Sequence, residues 1–202
     1  MNAKDEQKYA FSVTIENART GESEQLQLPA TKENTKDLFD RLKIKGRYYI
    51  KGCDYPINQI KKAINQSSNL NEINYCAAEL LKCDEEKLDF VWKILDSGAD
   101  RVESAAEVIN LLNASEYTYS FLSGITTYEQ VCEFHLAVEK IKNGFSPVQY
   151  IPREKYCEIG KELSHAERGR FVSNGYLFRN RCYYPDVYLG DNFPEEYKIV
   201  PL

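Results

Sequence analysis

Two kinds of hydrophobic pattern alternate along the chain. Between Tyr9 and Pro29 apolar and polar residues take turns, with Phe11, Val13 and Ile15 on one face of a first predicted strand and Leu26 and Leu28 on one face of a second. The intervening Asn17-Ala-Arg-Thr-Gly21-Glu-Ser supplies turn residues. Thr31 then stands where a helix N-cap belongs, ahead of Leu38, Phe39 and Leu42 at helical spacing, with a stop near Gly46. Arg47–Tyr55 reads as a third strand, ended by Pro56. The order ββαβ describes a small sheet with one covering helix.

The period then lengthens. Asn69-Leu-Asn-Glu72 resembles a capping box in front of Ile73, Ala77, Leu80 and Leu81. Asp84 is placed to cap a second helix with the stripe Leu88, Val91, Trp92 and Leu95, and Gly98 sits where a C-terminal glycine belongs. Asp100-Arg-Val-Glu103 is expected to start a third, carrying Ala105, Val108, Ile109 and Leu112. Short connections make these antiparallel neighbours. Further on, Thr127 precedes Val131, Phe134, Val138 and Ile141, with a stop at Gly144. A loop with Pro147 leads to a helix headed by Pro152, with Tyr156, Ile159 and Leu163 inward. Arg170–Arg179 contains Asn174-Gly175, which suits a type I′ hairpin turn. The tail from Asp191 to Leu202 has two prolines and no periodicity.

The expected fold class is therefore α+β, elongated, in three small lobes. Residues 1–68 form a ββαβ sheet lobe, 69–116 an acidic helical lobe, and 117–202 an α+β lobe with a C-terminal hairpin.

Composition narrows the chemistry. At 202 residues, 43% hydrophobic and 28% charged, the chain has ordinary globular proportions. It holds no apolar run near the roughly eighteen residues of a membrane span, and Met1–Lys8 lacks the apolar stretch of a secretory signal. The cytoplasm is the expected location. Six cysteines form no CxxC pair and four of them fall on predicted helices, so free thiols are expected. With only His135 and His165 besides, neither a metal site nor a cofactor is expected.

Catalytic patterns are absent. The ten glycines form no phosphate-cradling loop, and there is no GxSxG elbow or HExxH helix. Cys157 and His165 stand eight residues apart, roughly 12 Å along one helix, too far for a nucleophile–base hydrogen bond. His135 borders an apolar stripe and reads as a partly buried, hydrogen-bonded histidine. Trp92 reads as core. No catalytic residue is assigned, and the chain is expected not to be an enzyme. Lys43, Lys45, Arg47, Lys51, Lys61 and Lys62 make the first lobe mildly basic, but a pI near 5.3 argues against direct nucleic-acid binding.

The net charge of −5 is unevenly spread. Residues 1–68 carry twelve Lys/Arg against nine Asp/Glu, residues 69–116 four against eleven, and residues 117–202 ten against eleven. In the middle segment Glu72, Glu79, Glu85, Glu86, Asp89, Asp96, Asp100, Glu103 and Glu107 fall mostly off the apolar stripes. Rows of carboxylates on a helix ordinarily keep it soluble; their sharper meaning is imitation of a polyanion. Duplex DNA carries one charge per roughly 1.7 Å of axis. A lobe about 20 Å long, bearing a net −7, comes within about a factor of two of that density if its basic side chains turn away.

Several local strings bring a family into view. They are Leu26-Gln-Leu-Pro-Ala-Thr31 leading into a helix, the run Leu70–Leu80, the run Tyr150–Leu163, and Gly169–Phe178. In these the chain resembles the ArdA-type antirestriction proteins of conjugative elements and plasmids, as a weakly acidic, divergent member. Tyr150, Pro152, Tyr156, Glu158, Gly160 and Leu163 resemble the family's antirestriction motif, a proline-led helix. The resemblance implies three small domains, a homodimer, and a shape and charge similar to bent B-DNA. It further implies binding without catalysis in the DNA groove of type I restriction–modification enzymes; on hydropathy and pI, neither a membrane nor a direct nucleic-acid partner is expected. Lys155, Cys157 and Lys161 depart from the motif's usual acidic content. The alternative is a non-catalytic interaction protein of a mobile element, binding through an aromatic C-terminal surface such as Tyr183–Tyr188.

Overall fold

The computed structural model describes residues 9–144, 150–180, 188–190 and 194–200. It is a mixed α+β protein with seven α-helices and two three-stranded antiparallel sheets among these residues. The elements are β1 (Phe11–Asn17), β2 (Ser23–Leu28), α1 (Lys32–Arg41), β3 (Tyr48–Cys53), α2 (Asn58–Gln66), α3 (Leu70–Lys82), α4 (Glu85–Asp96), α5 (Ala105–Thr118), β4 (Tyr119–Ser123), α6 (Tyr128–Lys142), α7 (Tyr156–Ala166), β5 (Arg170–Val172) and β6 (Gly175–Arg179). Single 3-10 turns occupy Arg153–Lys155 and Glu195–Tyr197. Pro147 lies outside the described residues.

Packing groups the chain into two compact units, one of residues 1–89, 101–113 and 186–202, the other of residues 90–100 and 114–185. This partition interleaves the chain and cuts across α4 and α5, whereas the expected lobes at 1–68, 69–116 and 117–202 follow chain order.

In the first unit β1 is the central strand, in the order β2-β1-β3. Its pairing with β2 runs in register from Phe11 opposite Leu28 to Glu16 opposite Ser23. Its pairing with β3 slips by one residue, because Val13 faces Cys53 while Ile15 faces Ile50, which gives β3 a bulge. Asp54 anchors that end by accepting hydrogen bonds from the Ser12 backbone N–H (2.9 Å) and hydroxyl (3.0 Å), which hold its carboxyl below the usual range. Val13, Ile15, Leu28 and Leu38 are fully buried, as the alternation predicts, while Phe39 is half-buried. Thr31 caps α1 through the Asn34 N–H.

Helix α3 is the axis of this unit. Leu70, Ile73, Cys76, Ala77 and Leu80 are buried, and so are the two asparagines Asn71 and Asn74. Burying an amide is costly without partners, and both amides find them on backbone. Asn74 Oδ1 accepts from the Ala30 N–H (2.7 Å), and its Nδ2 donates to the Ala30 (3.3 Å) and Tyr197 (3.0 Å) carbonyls. Asn71 Oδ1 accepts from the Ile199 (2.7 Å) and Val200 (2.8 Å) N–H groups, and its Nδ2 donates to the Val200 carbonyl (2.9 Å). These bonds seat the tail segment against α3, with Ile199 buried and Tyr197 stacked on Tyr75.

Helix α2 stands where no helix is expected. Ile60, Ala63 and Ile64 lie on its buried face, but its N-cap is Ile57, which offers no side-chain cap. The start of α5 also differs from expectation. Asp100–Glu103 precede the helix, and Ser104 at its entrance accepts from the Glu107 N–H, so the capping residue is a serine one position past the acidic run.

In the second unit the sheet order is β4-β6-β5. Strand β4 follows α5 without an intervening loop residue, which explains why the pattern hides it. The Arg170–Arg179 hairpin forms, but its turn is not type I′. Val172 pairs with Gly175, leaving Ser173 and Asn174 as the loop, and only Asn174 has a positive φ (63°). Gly175 serves β4 instead: a Cβ there would lie 2.4 Å from the Phe121 ring and 2.6 Å from the Leu122 carbonyl oxygen. Helix α6 carries the expected capping box between Thr127 and Gln130. Trp92, expected in the core, is 38% exposed, because Val91, Ile94 and Leu95 define the buried stripe of α4 and turn position 92 outward. Helix α4 ends in a Schellman motif, with Gly98 at φ 67°, its N–H on the Leu95 carbonyl and the Ala99 N–H on the Ile94 carbonyl.

Replacing Asn74 by Leu strands the Ala30 N–H and carbonyl and the Tyr197 carbonyl. Chemical denaturation is expected to read a loss of roughly 3 kcal/mol, since each buried backbone group left unpaired costs about 1–3 kcal/mol. The exposed Asn65→Leu change on α2 should leave the midpoint within about 0.5 kcal/mol.

Candidate functional site

The nine carboxylates of the acidic segment divide into two groups by environment. Glu72, Glu79 and Asp100 are half-buried and hydrogen-bonded to neighbours in their own unit. Glu72 Oε1 accepts from the Tyr188 hydroxyl at 3.4 Å. Glu79, its side chain only 11% exposed, binds Lys82 Nζ and the Tyr75 hydroxyl, and Lys82 in turn lies over the Tyr197 ring. Asp100 Oδ2 accepts from the Tyr119 hydroxyl at 2.9 Å, and burial, followed by the Asp100 charge and this hydrogen bond, drives the phenol pKa up. These three act inside the fold.

Glu85, Glu86, Asp89, Asp96, Glu103 and Glu107 are exposed. Along α4, positions 85, 89, 92 and 96 fall within an arc of about 60° at 100° per residue. The solvent face of this helix is therefore a row of three carboxylates with the exposed Trp92 among them. Of the basic residues in the same segment, Lys82 is engaged by Glu79 and Lys93 lies over the Phe121 ring at 5.0 Å. Lys87 is half-buried. Glu107 turns back to accept from the Glu103 N–H, closing the entrance of α5.

The motif-like residues all lie in the second unit. Tyr150 is 86% exposed. Pro152 precedes the 3-10 turn that leads into α7. Tyr156 and Leu163 are half-buried, Glu158 is exposed and Gly160 is buried. The helix meets α6 through its small residues, because Gly160 and Ser164 are its buried positions in place of the expected Tyr156, Ile159 and Leu163. A Cβ on Gly160 would fall 1.8 Å from the Tyr128 carbonyl oxygen, so α7 crosses the start of α6 backbone to backbone.

Cys157 and His135 each have an acidic neighbour. Cys157 faces Glu129, whose hydrogen bond raises the thiol pKa, the reverse of what an activated thiol needs. His165 is exposed at the end of α7, and His135 Nε2 contacts Glu167 Oε2 at 3.1 Å. Glu167 also accepts from the buried Tyr176 hydroxyl at 2.7 Å. Cys53, Cys76, Cys83, Cys132 and Cys157 are free thiols, and burial pushes Cys53 up to about 12. Among the described residues no cluster of three or more potential ligands is placed to hold a metal ion. No helix among them is long and apolar enough to cross a membrane. Tyr183 and Tyr184 lie outside the described residues, while Tyr188 packs edge-on against Tyr75. No family model, curated protein or solved structure matches the chain.

The α6–α7 crossing has a direct test. Gly160→Ala places a methyl inside backbone, and overpacking of this kind costs about 1–3 kcal/mol or more. Urea denaturation should show that loss, with the exposed Glu162→Ala on the same helix within about 0.5 kcal/mol of the parent.

Proposed function

We propose that this chain is an antirestriction or anti-defence protein acting as a DNA mimic. It binds a DNA-processing defence complex, such as a type I restriction–modification enzyme, and competes with DNA for its groove. The observation that carries this reading is the outer face of α4, where Glu85, Asp89 and Asp96 are exposed together with Trp92. Glu85 and Asp89 stand one turn apart, about 6 Å along the axis. The family resemblance of the Tyr150–Leu163 run supports the same reading, and with it a homodimer in which each copy offers one such face.

Trp92 adds a second kind of contact. Exposed tryptophans anchor interfaces by desolvation, which salt does not screen, whereas carboxylates facing a basic groove are screened within a Debye length of about 10 Å at 0.1 M. The two parts of the face therefore separate under salt.

The test is a competition assay of the intact chain against labelled duplex DNA on a type I modification enzyme. Stoichiometric displacement is expected at low salt. Reversal of Glu85 and Asp89 to Lys should weaken it about tenfold at roughly 50 mM salt and about twofold at roughly 0.5 M. Trp92→Ala should weaken it by a similar factor at both. Failure to displace DNA at any salt, or displacement indifferent to all these changes, rejects mimicry of this target through α4.

A further inference from the structure

The first unit also holds a site of opposite charge. A cleft of about 390 Å³ opens between the β1–β2 turn and the segment joining α1 to β3, lined by Arg19, Lys43, Lys45 and Arg47 together with Asn17, Ala18 and Gly46. No carboxylate lines it. Among the described residues, none of the four cationic side chains makes an ion pair. Of the nearby acidic side chains, Glu24 is engaged by Arg41 at 2.8 Å and Glu16 by Lys51 at 3.3 Å, while Glu22 and Asp40 are exposed outside the lining.

The backbone holds these residues in place. Asn17 is 3% exposed and bridges the two walls. Its Nδ2 donates to the Leu42 (2.8 Å) and Lys43 (3.3 Å) carbonyls, and its Oδ1 accepts from the Arg19 N–H (2.8 Å). The Ala18 N–H reaches the Arg47 carbonyl at 3.3 Å. Helix α1 ends in a Schellman motif, the Lys43 N–H on the Asp40 carbonyl and the Ile44 N–H on the Phe39 carbonyl. The left-handed position of that motif favours glycine, yet Lys43 occupies it at φ 54°. A helix C-terminus carries partial negative charge and disfavours anions, but here its last carbonyls are bonded by Asn17 and by the motif itself.

We propose that this cleft binds a ligand bearing two or more adjacent phosphates. Four cationic side chains line one opening, and charge-assisted bonds to phosphate oxygens are the strong ones. With no aromatic ring in the lining, the site reads phosphate and not a base. Free polyphosphate and a nucleic-acid backbone both offer that chemistry. The site is independent of the α4 face, so either proposal stands or falls alone.

The experiment is titration of the isotope-labelled full chain with tripolyphosphate and with orthophosphate, followed by amide shifts. Shifts at residues 19 and 43–47 are expected, with tripolyphosphate binding at least about tenfold tighter than orthophosphate. Lys43→Gly keeps the backbone conformation and removes the charge; it and Arg47→Gln should each weaken binding about tenfold. Lys36→Gln and Lys62→Gln, exposed charges outside the cleft, should change it less than about twofold. A short single-stranded oligonucleotide that displaces tripolyphosphate from the same amides identifies the phosphates as a backbone's; one that does not leaves free polyphosphate as the ligand. No shift at these amides, or equal losses from the outlying lysines, overturns the site.

Discussion

The first unit depends on two carboxamides. Asn71 and Asn74 lie one turn apart on α3, buried, and each offers its amide as a substitute peptide group to passing backbone. Through Asn74 the helix holds the corner where β2 turns into α1; through Asn71 it holds residues 199 and 200, more than a hundred positions away. A segment with two prolines and no periodicity cannot form its own ladder, so its backbone groups need partners from elsewhere. The asparagines supply them, which is why the tail packs with the first unit although the chain reaches it last.

The second unit rests on close approach. Gly160, Gly169 and Gly175 stand where an added Cβ would lie 1.8, 1.7 and 2.4 Å from another group, respectively the Tyr128 backbone, the Tyr176 hydroxyl and the Phe121 ring. None of the three has a positive φ, so what keeps them glycine is space and not conformation. Tyr176 connects the Gly169 contact to a polar pair, since its buried ring lies against Gly169 while its hydroxyl bonds Glu167, which also meets His135.

Periodicity and capping made much of this fold legible. Phe11, Val13 and Ile15 on β1, Thr31 before α1, the Thr127–Gln130 box and Gly98 after α4 each place an element by a rule about local geometry. Helix α2 was hidden because Ile57 caps nothing, although Ile60, Ala63 and Ile64 carry the helical spacing. Strand β4 was hidden because α5 passes into it without a breaker. Asn174-Gly175 pointed to the right hairpin by the wrong residue pair, since the glycine answers to β4 and not to the turn. At the acidic segment the spacing indicated which carboxylates leave the apolar stripes. It did not show that Glu72 meets Tyr188, or that Asp100 meets Tyr119 across nineteen positions. Trp92 failed as a core assignment because Ile94 shifts the buried stripe of α4 by part of a turn, which is within the width of the pattern itself.

Net charge is a poor guide to what such a surface does. At physiological salt a charge is felt over about 8 Å, a little more than one helical turn, so a partner meets a local arrangement and not the sum over 202 residues. On α4 that arrangement is carboxylates around a tryptophan; at the Asn17 cleft it is four cations around an opening. A chain with −5 overall can carry both, because each is read over a short distance. Lys82 is taken by Glu79, Glu24 by Arg41 and Glu16 by Lys51. The exposed Arg41–Glu24 pair adds little to stability. What distinguishes the two surfaces is the local sign of charge, carboxylates along the outer face of α4 and cations lining the Asn17 cleft.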